Sequence, residues 1–357
     1  MKASEKVKVL WIDDEVIDHT EDAKNLEGLE KNLKVSMVHP DNLSSELKRN
    51  KLPDIFLVDY FLDQVSLTGT GGVKYDMRGL AAAGKIREVN TERPIYVVTN
   101  KETQRGGIFV SGAQAANSAF DKKLTFKEVQ REGQDILYHD ALDYRLIRES
   151  PRGNLKVLFK LLQVPVGVQE KLGLVLPDEL RKGLSPLGSS KYPEGNPIAF
   201  AKWVRQILLR VPGFLYDEIH AATYMGMSIE AFKEVSSKFK KAKYSGVFAR
   251  TAPPLWWVSG LTDIIFSKPK AQKIGKVNPW EVAPMVFKIP KTKRAKCAVC
   301  NDLFPETVGI NLNDDTDLKP VHYRCSKPYL VRKRELYFDE PRVFEIGKSP
   351  EYIGETK

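Results

Sequence analysis

Short apolar runs alternate with stretches of helical composition along the first 126 residues of the chain. The apolar runs are rich in β-branched residues and have the length of buried strands. Strand alternating with helix predicts a parallel sheet that is covered on both faces. Five such units predict a small α/β domain with a doubly wound, five-stranded parallel sheet. The predicted strands are VKVLWI, LKVSMV, DIFLVD, PIYVVT and SAF, and the predicted helices are DAKNLEGLEKNL, LSSELKRN, LAAAGKIREV and GAQAANS.

Beyond residue 126 the pattern changes to longer helical segments. Apolar residues three or four positions apart, as in AFAKWVRQILLRV and IEAFKEVSSKFKKA, predict mainly helix over residues 127–165 and 196–245. A stretch rich in Pro, Gly and Ser lies between them and predicts a loop. A basic region that contains the cysteines ends the chain. We therefore predict three domains, at residues 1–126, 127–290 (mainly α-helical) and 291–357.

The net charge of +10 is unevenly distributed over the 357 residues. Through residue 126 the chain has 18 basic and 19 acidic residues, so the excess lies in the C-terminal two-thirds. A polyanionic partner is therefore expected there. No apolar run reaches the roughly 18 residues of a membrane span, and the N-terminus lacks the pattern of a signal peptide. With only three cysteines, the chain is expected to be cytoplasmic and to have no disulfide framework.

Carboxylates stand at the ends of two predicted strands. Asp13 and Asp14 follow the first strand, and Asp59 ends the third. In an open parallel sheet the carboxyl ends of the strands share one edge, so we expect these three side chains to lie together. Clustered carboxylates repel one another unless a hard cation binds, and Mg²⁺ fits oxygen ligands best.

Two further groups are expected at the same edge. The fourth strand ends in Thr99, and the fifth ends in Lys122 or Lys123. With a metal ion and a lysine beside it, an aspartate becomes a nucleophile towards a phosphoryl group, because the cations neutralise charge on the phosphate.

Residues 7–126 resemble a response-regulator receiver domain, which implies that the predicted α/β sheet is flavodoxin-like. The resemblance rests on four motifs in family order, namely WIDDE, FLVDY, VVTN and AFDKK. It implies that Asp59 accepts a phosphoryl group from a histidine kinase or another phosphodonor protein. It also implies that Mg²⁺ is held by Asp14, by Asp13 partly through water, and by the main-chain carbonyl of Phe61.

The resemblance further implies that Thr99 is the switch hydroxyl and that one lysine pairs with the phosphoryl oxygens. An ungapped alignment of AQAANSAF points to Lys123. Strand alternation points to Lys122, because it keeps Phe120 inward and Asp121 outward. We prefer Lys122 and leave Lys123 as the alternative.

The chain departs from the receiver pattern beside the acceptor. Asp63 stands where the family has a proline, and the matching glycine is Gly79, twenty residues after Asp59. Residues 64–78 are therefore interpreted as an insertion. Asn100 replaces a small residue, and no proline follows the lysine. The alternative interpretation is a degenerate receiver that keeps the fold without phosphorylation.

All three cysteines fall into one constellation with a histidine, Cys297-x2-Cys300-x21-His322-x2-Cys325. Zinc is bound by four N or S ligands in a tetrahedron, and four ligands leave no open position, so a structural zinc is predicted. A redox CxxC pair is the alternative, but it explains neither His322 nor Cys325. The intervening residues are mostly polar, so the metal would supply folding energy on the order of 10 kcal/mol to this C-terminal module.

Basic residues flank the cysteine module. From Lys268 to Lys296 the chain has nine basic residues against one acid, Glu281, and a second basic segment lies at 327–334. Both segments are candidates for contacts with the phosphate backbone of nucleic acid. The alternative is a solvated surface without a partner.

Two functional hypotheses follow from these features. In the first, phosphorylation of Asp59 switches the interactions of the basic, zinc-containing region with nucleic acid or protein. In the second, the chain is a non-phosphorylated receiver-like adaptor or scaffold in a multi-protein complex. No P-loop and no Ser/His/Asp or Cys/His arrangement stands out, so we expect a non-enzymatic protein with no membrane partner. Oligomerisation is left open.

Overall fold

The computed structural model describes two compact units. The first comprises Met1–Asn154 with Asp178–Lys202, and the second comprises Leu155–Pro177 with Trp203–Lys357. The structure describes residues 6–28, 32–48, 51–60, 62, 79–90, 92–99, 119–150, 155–177, 180, 197–302, 307–310, 319–322 and 325.

The first unit is built on a fully parallel, five-stranded sheet with the order β2-β1-β3-β4-β5. This is the strand order of the flavodoxin-like doubly wound fold and confirms the predicted class. The side chains of the three central strands are almost wholly buried, which explains their continuous apolar runs. The strands are β1 (Val7–Ile12), β2 (Leu33–Val38), β3 (Ile55–Asp59), β4 (Ile95–Thr99) and β5 (Lys122–Thr125).

Helices cover both faces of this sheet. The helix that follows β5 begins at a capping box. The Thr125 side chain accepts a hydrogen bond from the Glu128 N–H, and the Glu128 carboxylate accepts one from the Thr125 N–H. On its face of the sheet, the buried Trp11 ring lies 5.8 Å from the ring of Phe126. The helices are α1 (Thr20–Glu27), α2 (Leu43–Leu47), α3 (Gly79–Val89) and α4 (Phe126–Glu149).

The fifth strand differs from the predicted SAF run, because the paired residues are Lys122–Thr125. Phe120 is buried as expected, but Asp121 is buried as well instead of pointing outward. Its carboxylate accepts a hydrogen bond from the Ile95 N–H at 2.7 Å and pairs with Arg87. A charged residue can lie inward when such partners are present, and strand alternation alone does not reveal them.

The second unit is mainly helical, as predicted for the middle of the chain. Its core is a cluster of apolar residues around Phe232, Phe239 and Trp256. Two small antiparallel sheets pair β6 (Leu215–Tyr216) with β7 (Trp256–Trp257), and β8 (Thr307–Ile310) with β9 (Lys319–His322). Of the helices that follow α4, α7 (Pro197–Trp203) lies in the first unit except for its last residue. The others belong to the second unit and are α5 (Leu155–Leu161), α6 (Val166–Val175), α8 (Glu218–Tyr224), α9 (Ile229–Val235), α10 (Val258–Phe266), α11 (Pro269–Ile274) and α12 (Pro279–Val286).

The predicted domain boundaries after residues 126 and 290 stay predictions. Helix α4 packs against β1, β4 and β5 and therefore belongs to the unit that contains the sheet. The chain after residue 290 continues the helical body, since the Ser228 N–H donates to the Lys293 carbonyl at 2.9 Å. In the part of the chain that the structure describes, no helix combines the length and apolar character of a bilayer span.

Candidate functional site

Three carboxylates meet at the carboxyl edge of the parallel sheet. Strands β1 and β3 are neighbours, and Ile12 lies opposite Val58 in their register. The residues that follow this pair on the two strands are Asp13 and Asp59, so these two residues are side by side. Ligand oxygens of Asp13, Asp14 and Asp59 all lie within 4.8 Å of one another. The fold thus brings together the acids that the sequence places at strand ends.

Asp13 is the buried member of this acid cluster, with 1% of its surface exposed. Its Oδ1 accepts a hydrogen bond from the Glu15 N–H at 2.8 Å, whereas its buried Oδ2 has no hydrogen-bond partner among the described residues. Burial raises the pKa of Asp13 above its ordinary value, and the charge of Asp14 raises it further, against the Glu15 hydrogen bond and the charge of His19. A buried polar atom without a partner costs about 1–3 kcal/mol. A cation would satisfy this oxygen, and three oxygen donors beside solvent suit Mg²⁺.

Thr99 supplies a hydroxyl next to the acceptor strand. It ends β4, and the register places Asp59 opposite Val98, one residue earlier. The Thr99 side chain is buried, and within the described chain its Oγ1 has no hydrogen-bond partner. Such a hydroxyl can donate to an anion that is bound at this edge of the sheet.

Lys122 has a carboxylate partner outside the acid cluster. Its Nζ lies 3.2 Å from Oδ2 of the fully buried Asp140 in α4 and 5.9 Å from the centre of the Tyr96 ring. In the sheet register Asp59 aligns with Val98 of β4, and Val98 aligns with Leu124 of β5. Neither lysine is therefore aligned with Asp59. Lys123 is exposed. The role of a lysine at the phosphoryl group therefore stays a prediction.

Gly79 approaches the backbone of the acceptor strand. It begins α3, and its N–H donates to the Tyr60 carbonyl at 3.0 Å. A Cβ at this position would lie 2.5 Å from the Asp59 carbonyl oxygen and 3.0 Å from the Tyr60 Cα. Only glycine fits here without a backbone shift. This close approach is a physical reason for a glycine at position 79.

We expect Gly79→Ala to destabilise the first unit by about 1–3 kcal/mol, because the methyl group would push the backbone of the acceptor strand. The free energy of unfolding in urea measures this change. Gly84→Ala on the same helix is the matched control, since no atom lies within 4 Å of its Cβ position. The control should be neutral or stabilising by about 0.5–1 kcal/mol. Equal effects of the two substitutions would contradict the close approach.

His19 is a neighbour of the acid cluster that the sequence analysis did not single out. Its Nδ1 lies 3.0 Å from Asp22 Oδ2, and its ring lies 5.9 Å from Trp11 and 4.6 Å from Phe126. Burial lowers the pKa of His19, but the Asp22 hydrogen bond and the charges of Asp13 and Asp22 raise it above its ordinary value overall. No motif marks this histidine, and its ring partner Phe126 comes from a distant part of the chain.

A surface groove of about 750 Å³ adjoins the acid cluster. It is lined by the residues that follow β1 and by residues around the end of β2 and the start of α2. Four acidic side chains line it, so its lining is strongly anionic. The acidic lining residues are Asp14, Glu15, Asp18 and Glu46.

The four predicted zinc ligands also come together, in the second unit. Their ligand atoms all lie within 4.8 Å of one another, and Cys300 Sγ is 3.2 Å from His322 Nδ1. Bonds of about 2.0–2.3 Å place the ligands of a tetrahedral zinc roughly 3.3–3.8 Å apart, so this cluster is close to the size of a zinc site. With four N and S donors and no open position, it fits a structural ion. The ligand set is Cys297, Cys300, His322 and Cys325.

The first two cysteines form a tight turn that aims N–H groups at sulfur. The Val299 and His322 N–H groups donate to Cys297 Sγ at 3.4 and 3.3 Å. The Asn301 N–H donates to the Cys297 carbonyl at 2.9 Å, and Asn301 has a φ of 62°. Asparagine tolerates this left-handed conformation better than most residues, which suits it to follow the second cysteine.

The two end cysteines of the set differ in their acidity. Burial raises the pKa of Cys297, but hydrogen bonds from the backbone of Cys300, His322 and Val299 lower it below its ordinary value overall. Burial and the neighbouring cysteines raise the pKa of Cys325 to about 11. Metal binding would require deprotonation of both, because thiolates are the ligands.

Several predicted features lie outside the described residues, and their predictions stand as made. They are the carbonyl of Phe61, Asp63, the insertion at 64–78, Asn100 and the basic segment at 327–334.

No protein-family model and no curated protein matches this chain. Among solved structures, it is similar to a CheY-like response regulator receiver domain protein from Methanospirillum hungatei JF-1, with 12% identity over 40% of this chain and 98% of that chain and a TM-score of 0.30. A two-component response regulator from Clostridium difficile is 21% identical over 41% of this chain and 100% of that chain, with a TM-score of 0.29. An adenylate cyclase from Rhodopirellula baltica is 13% identical over 41% and 100% of the two chains, with a TM-score of 0.28. At these values none of the likenesses carries an argument, so the flavodoxin-like class rests on the strand order itself.

Proposed function

We propose that this chain is a response-regulator-like signalling protein in which Asp59 accepts a phosphoryl group from a partner kinase. The observation that carries the proposal is the convergence of Asp13, Asp14 and Asp59 at the carboxyl edge of a flavodoxin-like sheet. Crowded carboxylates are unfavourable unless a cation is bound, and a divalent cation beside an acceptor carboxylate is the arrangement that phosphoryl transfer needs.

In the proposed reaction an Asp59 carboxylate oxygen attacks the phosphorus atom of the donor. The bond between phosphorus and the donor nitrogen or oxygen breaks, its electron pair stays with the donor, and an acyl phosphate forms on Asp59. Asp13 and Asp14 would hold Mg²⁺, which supplies positive charge that neutralises the transferring phosphoryl oxygens. Thr99, whose hydroxyl is buried beside the acceptor strand, would donate to a phosphoryl oxygen.

The new charge would switch the interactions of the C-terminal region. A phosphoryl group adds strong hydrogen-bond acceptors, and their capture by Thr99 would bias the end of β4 between two arrangements. The zinc-stabilised module would then act as a fixed part of the output surface. A histidine kinase or another phosphodonor protein is the proposed upstream partner, and the reducing cytoplasm is the proposed compartment because all three cysteines belong to the ligand set.

A receiver-like adaptor without phosphorylation is the second candidate. It is favoured by the pairing of Lys122 with the buried Asp140, which gives this lysine a partner other than a phosphoryl group. In that case the sheet and its acidic groove would serve as a docking surface in a multi-protein complex, and the acid cluster would hold a cation for structural reasons.

Phosphorylation by a small phosphodonor tests the proposal. Incubation of the full chain with acetyl phosphate and Mg²⁺ is expected to add one phosphoryl group, detected by intact-protein mass spectrometry. Asp59→Asn should abolish the addition, since it removes the nucleophile. Chelation of Mg²⁺ before the donor is added should also abolish it.

Asp41→Asn is the matched control, because it removes an exposed carboxylate outside the acid cluster. It should leave the incorporation unchanged. Addition of the group to Asp59→Asn at the wild-type level would refute Asp59 as the acceptor. No incorporation into the wild-type chain from acetyl phosphate or from phosphoramidate would favour the adaptor.

A further inference from the structure

One stretch of the second unit carries charge of almost a single sign. Residues 236–296 contain fourteen basic residues and two acids, Asp263 and Glu281. Twelve of the basic residues are lysines, and all of these are exposed except Lys293, which is half-buried. The lysines are Lys238, Lys240, Lys241, Lys243, Lys268, Lys270, Lys273, Lys276, Lys288, Lys291, Lys293 and Lys296.

Three of these lysines, from three separate elements, surround the C-terminal end of α12. Lys238 Nζ lies 5.5 Å from the centre of the Phe287 ring. Lys270 Nζ donates to the Met285 carbonyl at 2.7 Å. Lys288 directly follows Phe287 and is exposed. We call Lys238, Lys270 and Lys288 the lysine cluster.

The neighbouring lysines are held on the same rigid body. The Ser228 N–H donates to the Lys293 carbonyl at 2.9 Å, and the Ala295 N–H donates to the Gly226 carbonyl at 3.3 Å. These bonds fix the backbone between Lys291 and Lys296 against the helical core. The basic residues of this segment are therefore presented by a folded surface, in contrast to a solvated tail.

Few acids neutralise this surface. Glu281 pairs with Lys276 at 2.6 Å, and Glu234 pairs with Lys293. Like charges on one folded surface repel one another, and a polyanion that binds there relieves the repulsion and releases its own counterions.

The residue types indicate how such a partner would be recognised. Arginine is the residue that reads guanine edges with two hydrogen bonds, whereas lysine acts as a point charge for phosphate. Only Arg250 and Arg294 are arginines in this stretch, and Arg294 is half-buried. The Phe287 ring packs on Phe239 at 5.0 Å and under Lys238, so it is occupied and does not offer a stacking platform for bases.

We propose that the lysine cluster and the exposed lysines around it bind the phosphate backbone of duplex nucleic acid without reading its sequence. A duplex presents one negative charge about every 1.7 Å along its axis, so it matches lysines that are spread over several elements. An acidic protein segment would have to supply a comparable density of charge over the same surface. The proposal is independent of phosphorylation at Asp59.

Fluorescence anisotropy of a short labelled duplex DNA tests this inference with the full chain. The wild type should bind with an affinity that falls steeply between about 50 and 200 mM salt. Simultaneous Lys238→Gln, Lys270→Gln and Lys288→Gln should weaken binding at least about tenfold and reduce the slope of log affinity against log salt by roughly 2–3. Two duplexes of unrelated sequence should bind equally well.

The matched control neutralises Lys156, Lys160 and Lys171, three exposed lysines of α5 and α6 in the same unit. It changes the net charge by the same amount and should leave the slope nearly unchanged. A second variant neutralises the exposed Lys240, Lys241 and Lys243 and should also weaken binding, which covers the case in which the first variant is misfolded. Equal weakening by the control, a strong preference for one duplex sequence, or tighter binding of poly-glutamate than of the duplex at matched charge would overturn the proposal.

Discussion

Removal of zinc by a chelator is expected to unfold the C-terminal hairpin while the parallel sheet of the first unit stays folded. Strands β8 and β9 have four residues each, and an isolated hairpin of two short strands is at best marginally stable in water. The hairpin packs against α8. A bound zinc ion would also join His322 in β9 to Cys297 and Cys300, which precede the hairpin. The metal is expected to contribute on the order of 10 kcal/mol to the folding of this module.

Hydrogen exchange and metal analysis measure this effect. The purified chain should contain one zinc ion, and chelation should remove the protection of the amides in 319–322, where Pro320 has none, without changing that of the amides at 55–59. Cys297→Ser should have the same result, since it removes a buried ligand. Val299→Ala is the matched control, because this exposed side chain lies between the first two cysteines and should leave zinc binding intact. Full protection of 319–322 in zinc-free protein would show that the module folds without metal.

Asp140→Ala is expected to destabilise the first unit by about 3–5 kcal/mol, the second-largest effect that we predict. Asp140 is fully buried, and its Oδ2 accepts a hydrogen bond from the Tyr96 hydroxyl at 2.7 Å besides pairing with Lys122. Tyr96 is fully buried as well. The substitution would leave a buried hydroxyl and a mostly buried ammonium without their shared carboxylate.

Denaturant unfolding measures the change, and two further variants give it a specific cause. Asp135→Ala removes an exposed carboxylate from the same helix and should cost little. Combining Asp140→Leu with Lys122→Met and Tyr96→Phe replaces the ion pair and the hydroxyl by apolar groups and should recover much of the lost stability. If Asp140→Ala unfolds no more easily than Asp135→Ala, the buried pair does not stabilise the fold.

The alternation of apolar strands with helices, and the residues at the strand ends, were enough to predict the sheet and its acid cluster. Four of the five apolar runs became strands at nearly their predicted positions, because central parallel strands are apolar on both faces. Asp13 and Asp59 could be placed together because carboxyl ends of parallel strands share an edge. The cysteine set could be predicted for a similar reason, since ligand spacing along the chain reflects the geometry that zinc requires.

The partners of charged residues could not be predicted, because they depend on contacts between distant parts of the chain. Lys122 pairs with Asp140, which lies on the following helix and carries no motif. Asp121 turns inward because Arg87 is beside it. The packing of α4 on the sheet could not be predicted either, since the helical composition after residue 126 does not show which surface the helix covers.

The most direct test of the account is a calorimetric titration of the chain with Mg²⁺ in the absence of any phosphodonor. We expect one Mg²⁺ to bind per chain, with at least about tenfold weaker binding in Asp13→Asn and unchanged binding in Asp41→Asn. Because burial raises the pKa of Asp13, protons compete with the cation at a higher pH than at an ordinary aspartate, so binding should weaken as the pH is lowered. A wild-type chain that binds no Mg²⁺, or an Asp13→Asn variant that binds it as tightly as the wild type, would contradict the claim that these carboxylates are gathered to hold a divalent cation.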